Sequence, residues 1–77
     1  MNKARRKELV RAGALLQEAL EIVQACGEEE RDAFEGFPES LQDGERGQAM
    51  SEAADNIDSA VAALEEAAEY IANAREG

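Results

Sequence analysis

The chain has 77 residues, 18 acidic and 8 basic side chains for a net charge of −10, one cysteine and no histidine. That length allows one domain near the lower limit of self-sufficiency, so help from partners is expected. The charge argues against direct nucleic-acid binding, the absence of histidine removes most zinc, di-iron and triad chemistry, and a lone cysteine permits no internal disulfide.

Charge is unevenly spread. Residues 1 to 11 hold five bases and one acid, leaving three bases and seventeen acids for the rest. The basic start Lys3, Arg5, Arg6, Lys7 has the look of a signal n-region, but Glu8, Arg11, Gln17 and Glu18 interrupt the apolar segment that should follow. No run of eighteen apolar residues is present, so no membrane span is expected and the chain reads as cytoplasmic.

The first helix is expected over about 3–34, with Asn2 as N-cap and core positions Leu9, Ala12, Leu16, Ala19, Val23 and Cys26. Leu15, Leu20 and Ile22 widen that face. Cys26 reads as a small buried hydrophobe, since no histidine is available as its base. Gly27 weakens the helix by about 1 kcal/mol relative to alanine. Gly36, taken as the residue past the helix end, and Pro38 then form a stop signal.

A connector over about 35–44 leads to a second helix over about 45–75, starting somewhere between 40 and 46. Ser40 or Asp43 is the candidate cap, the latter leaving Gly44 and Gly47 in a loose first turn. In this helix Met50, Ile57, Leu64 and Ile71 recur every seven residues, beside an alanine row at 53, 60, 67 and 74 and a third row of Ala54, Val61 and Ala68. Three rows make a stripe too wide for a two-stranded seam.

The expected fold is therefore all-α, a single domain over 1–77 formed by an antiparallel two-helix hairpin that self-associates into a helical bundle. Two helices of about thirty residues make a rod roughly 45 Å long, leaving Leu15, Ile22, Ala54 and Val61 partly wet. A homo-oligomer with Leu16, Val23, Ile57, Val61, Leu64 and Ile71 in its core is the simplest remedy. Phe34 and Phe37 are expected to plug the bundle end. Lys3, Arg5, Arg6, Lys7 and Arg11 oppose the dipole of the first helix, as Glu65, Glu66, Glu69 and Glu76 oppose that of the second; an antiparallel pair lets the two groups compensate.

Three sites are candidates. The connector offers Ser40, Gln42, Gly44, Arg46 and Gly47 beside a helix N-terminus, a mixture suited to a small anion such as a nucleotide-type phosphate; the plainer reading is a loop whose Arg46 pairs Glu45 or Asp43. The acidic surface of Glu28, Glu29, Glu30, Asp32 and Glu35 suits a basic protein groove, as in proteins that imitate nucleic acid, or is simply a solubilising face. It lacks the spacing of a calcium loop, and no metal or cofactor is expected. Finally, Glu18-x-x-Glu21 and Glu52-x-x-Asp55 resemble the magnesium motifs of the all-α nucleotide pyrophosphohydrolases, a resemblance that implies an enzyme; the chain is short for that family.

The opening MNKARRKELVRAGALLQEA and the stretch FPESLQDGERGQAMSEAADNIDSAVAALEEA resemble short helical proteins encoded in phages and prophages. The likeness covers nearly the whole chain, the bend PESLQ followed by ER being its most specific part. It implies a non-enzymatic viral accessory protein acting inside a bacterial host, either sequestering a nucleotide signal or covering the working surface of a host defence protein.

Overall fold

Asn2 opens the first helix as its side chain allows: Oδ1 accepts the Arg5 N–H at 2.7 Å, satisfying one of the orphan donors of the first turn. In the computed structural model, which describes residues 1–77, α1 runs Lys3–Gly36, a single-turn α2 spans Glu39–Gln42, and α3 runs Glu45–Glu76 antiparallel to α1. The architecture is an all-α hairpin without strands, its boundaries within about two residues of those expected.

The stop at the bend works differently from the expectation. Gly36 is the last helical residue, not the one beyond, and no glycine has a positive φ. The break falls at Phe37, extended at φ −71° and ψ 138°, because the ring of Pro38 excludes helical geometry from the residue before it. Neither Ser40 nor Asp43 caps α3. Ser40 lies in α2, Asp43 ends it, and the N-cap of α3 is Gly44 with no side-chain bond.

The two long helices meet along a narrow seam. On α1 the half-buried Leu9, Leu16 and Val23 alternate with Gly13, Leu20, Gly27 and Phe34; on α3 Met50, Ile57, Leu64 and Ile71 alternate with Gly47, Ala54, Val61 and Ala68. Steps of three and four residues in turn are the signature of a two-stranded coiled coil, so the broad face read from three heptad rows is corrected to two. The α1 seam therefore passes through Gly13, Leu20 and Gly27, not through Cys26, which is exposed. Ala54, expected to be partly wet, is buried at 8% exposure beside Leu20 at 7% as the best-covered apolar residues of the chain.

Glycine in the seam has a steric reason. A Cβ on Gly27 would stand 3.0 Å from Ile57 Cγ2, and one on Gly13 would stand 3.9 Å from Ile71 Cγ2. The two glycines are fourteen residues apart, as are the two isoleucines, so one antiparallel register serves the whole rod. The same register sets Leu20 opposite Leu64 and Phe34 opposite Met50. Ile57, Val61, Leu64, Ile71, Leu16 and Val23, expected as an oligomer core, are half-buried along the seam of one hairpin.

The hairpin measures 58 × 14 × 13 Å with a radius of gyration of 17.3 Å, against about 11 to 12 Å for a compact domain of this length. No helix is long and apolar enough to cross a membrane. At the open end the basic residues of α1 do meet α3, but not through its acids. Arg6 Nε donates to the Arg75 carbonyl at 2.8 Å and the Met1 amino group to the Gly77 carbonyl at 3.3 Å, supplying donors to the negative end of the other helix. The expected pairing with Glu65, Glu66, Glu69 and Glu76 is absent; the ion pairs are Arg11–Glu8 at 3.3 Å within α1 and Arg31–Asp58 at 2.7 Å between helices.

Candidate functional site: the bend and its acidic flank

The bend is built on one amide. Gln42 Nε2 donates to the Phe37 carbonyl at 3.0 Å and to the Phe34 carbonyl, which also accepts the Phe37 N–H, at 3.3 Å, tying α2 to the C-terminal end of α1. Gly47, buried in the first turn of α3, lies so close to α2 that a Cβ there would fall on the Gln42 backbone. Gln48 Nε2 donates to the Asp43 carbonyl at 3.1 Å, closing the other side.

Gln42 and Gly47 therefore hold the turn together. Gly44 occupies the α3 N-cap, and Ser40 and Arg46 stand exposed on the outside. Arg46 pairs with neither Glu45 nor Asp43; its guanidinium lies 5.6 Å from the centroid of the half-buried Phe37 ring, a cation–π contact. Phe34 and Phe37 are half-buried at this end of the rod.

The acidic flank runs from Glu35, at the bend itself, back through the last two turns of α1. Glu28, Glu29, Asp32 and Glu35 are exposed, whereas Glu30 falls in line with Leu16 and Val23 and is half-buried. Arg31 rises among them and binds both oxygens of Asp58 at 2.7 Å. The hydrogen bond to Asp58 and then its charge raise the Arg31 pKa, desolvation opposes them, and the charges of Glu35 and Asp55 add smaller increases. A raised pKa on a cation contributes stability below the unfolded value and loses it only as pH rises through the folded one, so the Arg31 charge is held throughout the neutral range.

Sequence reading missed this pair. Its partners are 27 residues apart and meet only once the antiparallel register is known. The pair borders an open groove of about 290 Å³ beside Gly27, Gln24 and Val61, and a second groove of about 330 Å³ opens beside Gly13, Ala14 and Ala72. Both are the hollows left where a seam glycine carries no side chain.

The carboxylates of Glu18, Glu21, Glu52 and Asp55 are all exposed, and no three acidic or cysteine side chains gather where a metal ion could sit. In the register of the hairpin Glu52 is level with Asp32 and Asp55 with Glu29, so the two pairs lie roughly 12 to 20 Å apart along the rod, depending on which members are compared. No protein family matches the chain, and no curated protein or solved structure matches it.

Proposed function

We propose that the chain is a non-catalytic binding protein whose acidic flank occupies a basic groove of another protein, in the manner of nucleic-acid imitators. The resemblance to phage-encoded helical proteins supplies the setting: a homo-oligomeric counter-defence protein in the cytoplasm of a bacterial host, blocking a defence or DNA-handling protein. The observation that carries the reading is the exposure of Glu28, Glu29, Asp32 and Glu35 along the last turns of α1, where the one nearby cation, Arg31, is already bound by Asp58. Successive carboxylates along one helix present a dense negative surface that attracts and orients a basic groove.

Pull-down from a bacterial lysate identifies the partner, and titration of the isolated complex at rising salt tests the mode. Affinity is expected to fall steeply with salt, and to fall again when Glu28, Glu29 and Asp32 become Gln, Gln and Asn. A complex indifferent to both changes would sink the reading.

A second reading has its own support. The N-terminus of α3 has no side-chain cap, and Ser40 and Arg46 flank it in the open, a fit for a phosphate-bearing nucleotide signal. In that reading Gln42 and Gly47 shape the site without touching the ligand. Calorimetry with cyclic dinucleotides and ADP-ribose derivatives decides it: heat with one of them, abolished by Arg46→Ala, supports capture at the bend, and no heat with any removes it. The magnesium-dependent pyrophosphohydrolase alternative draws no support from carboxylate pairs so far apart.

A further inference from the structure

The two sides of the hairpin that flank the seam differ in chemistry. One carries Arg31, Asp58, Gln24 and the two glycine grooves. By helical periodicity the other carries Ala19 and Cys26 of α1 beside Ala60 and Ala67 of α3. Leu15 and Ile22 rise at the edge of that side on α1, and Ala63 and Tyr70 on α3. Between Ala12 and Cys26, and between Ala49 and Ala74, no position on it bears a charge. In a chain of net charge −10, an uncharged strip along the middle of both long helices is set apart from the rest of the surface.

We infer that this side is the contact face for a second copy of the chain, pairing two hairpins into a four-helix bundle about a two-fold axis. The argument for a copy as occupant begins with area. One hairpin exposes 5727 Å², roughly 1100 Å² more than expected for its mass, while a standard interface removes about 800 Å² from each partner. Ile22 at 59%, Leu15 at 57% and Tyr70 at 65% exposure are large apolar side chains left on this strip and its edge. The second argument is symmetry. A half-turn lays the strip of one hairpin on the same strip of its copy, an isologous contact in which the large Leu15, Ile22 and Tyr70 can meet the small Ala19, Ala60 and Ala67. The third is charge: two strongly anionic chains can approach closely only where neither carries carboxylates. Small side chains on all four helices then permit tight interaxial spacing, with Ile22 and Leu15 as the knobs.

This deepens the self-association included in the proposed function, and it holds or fails independently of what the protein binds. Cys26, the sole cysteine and exposed in one hairpin, is a built-in reporter. Sedimentation equilibrium should give twice the 8.3 kDa chain mass, and the Cys26 thiol should react with a disulfide reagent at least about tenfold more slowly than in Ile22→Lys. Ile22→Lys and, separately, Ala60→Glu should give monomers of unchanged helicity, since both positions are exposed in the single hairpin; Gln24→Lys on the other side should leave the dimer intact. A wild-type monomer whose Cys26 reacts as fast as in Ile22→Lys overturns the inference. An oligomer with fully reactive Cys26 overturns it too, because the copies then meet elsewhere. A monomer that still binds a basic partner leaves the functional reading standing and removes only this one.

Discussion

Two glycines in the same seam position, each facing an isoleucine, are set to respond oppositely to the same substitution. At Gly13 a new Cβ would meet Ile71 at an ordinary 3.9 Å, so Gly13→Ala should gain the helix-propensity difference and stabilise the hairpin by about 1 kcal/mol. At Gly27 the new Cβ would sit 3.0 Å from Ile57, so the same gain is offset by overpacking of about 1 to 3 kcal/mol and the variant should be neutral or less stable. Urea denaturation of the two variants side by side tests this, and an equal gain in both would show that the helices separate freely. The two glycines were visible in the sequence, but their role was not. Gly27 reads there as a local helix weakness, because its value lies in a contact with a residue thirty positions away. Cys26 shows the same limit from the other side: its row of small residues looks like a core until Gly13, Leu20, Gly27 and Phe34, one position over, claim the seam.

The bend is where local signals decide most and non-local ones complete the job. Asn2, Pro38 and the run of strong helix formers after Gln48 put the helix ends within about two residues of their positions, since caps and proline act on their immediate neighbours. What Gln42 does could not be read, because its amide acts as a clasp only after the chain has turned toward Phe34 and Phe37. Gln42→Ala should cost about 1 to 2 kcal/mol by the loss of two hydrogen bonds, of which the one to Phe37 leaves its carbonyl to solvent while the Phe34 carbonyl keeps the Phe37 N–H, measurable as a lower urea midpoint. Gly47→Ala should be worse than Gln42→Ala, because its added carbon falls on rigid backbone and forces α3 away from α2. Hydrogen exchange should then show the amides of residues 39 to 50 exchanging faster in Gly47→Ala while the middle of both long helices stays protected. Loss of protection along the whole rod would mean that the bend nucleates the seam and is not merely its end.

At the scale of the molecule, a rod with few fully covered side chains carries ten uncompensated negative charges, so its stability is tied to the solvent. With a Debye length of about 30 Å in 0.01 M salt and about 8 Å at physiological ionic strength, repulsion along a 58 Å rod is largely felt in the first condition and largely screened in the second. The melting temperature should therefore climb with added sodium chloride, followed by circular dichroism; a fall would mean that the Arg31–Asp58 contact and the donors of Arg6 outweigh the general repulsion. Seven-residue periodicity made the hairpin legible at this scale, and the acidic balance its lack of affinity for nucleic acid an expectation. The uncharged strip was harder to see, since it consists of alternate small residues from two helices and becomes one surface only when they are laid in register. The hairpin also brings Met1 and Gly77 into hydrogen-bond contact. A donor and an acceptor fluorophore at these two ends would transfer energy almost completely in the closed rod and much less in an unfolded chain, whose radius of gyration is about 27 Å. The opening of single hairpins could then be timed by light alone.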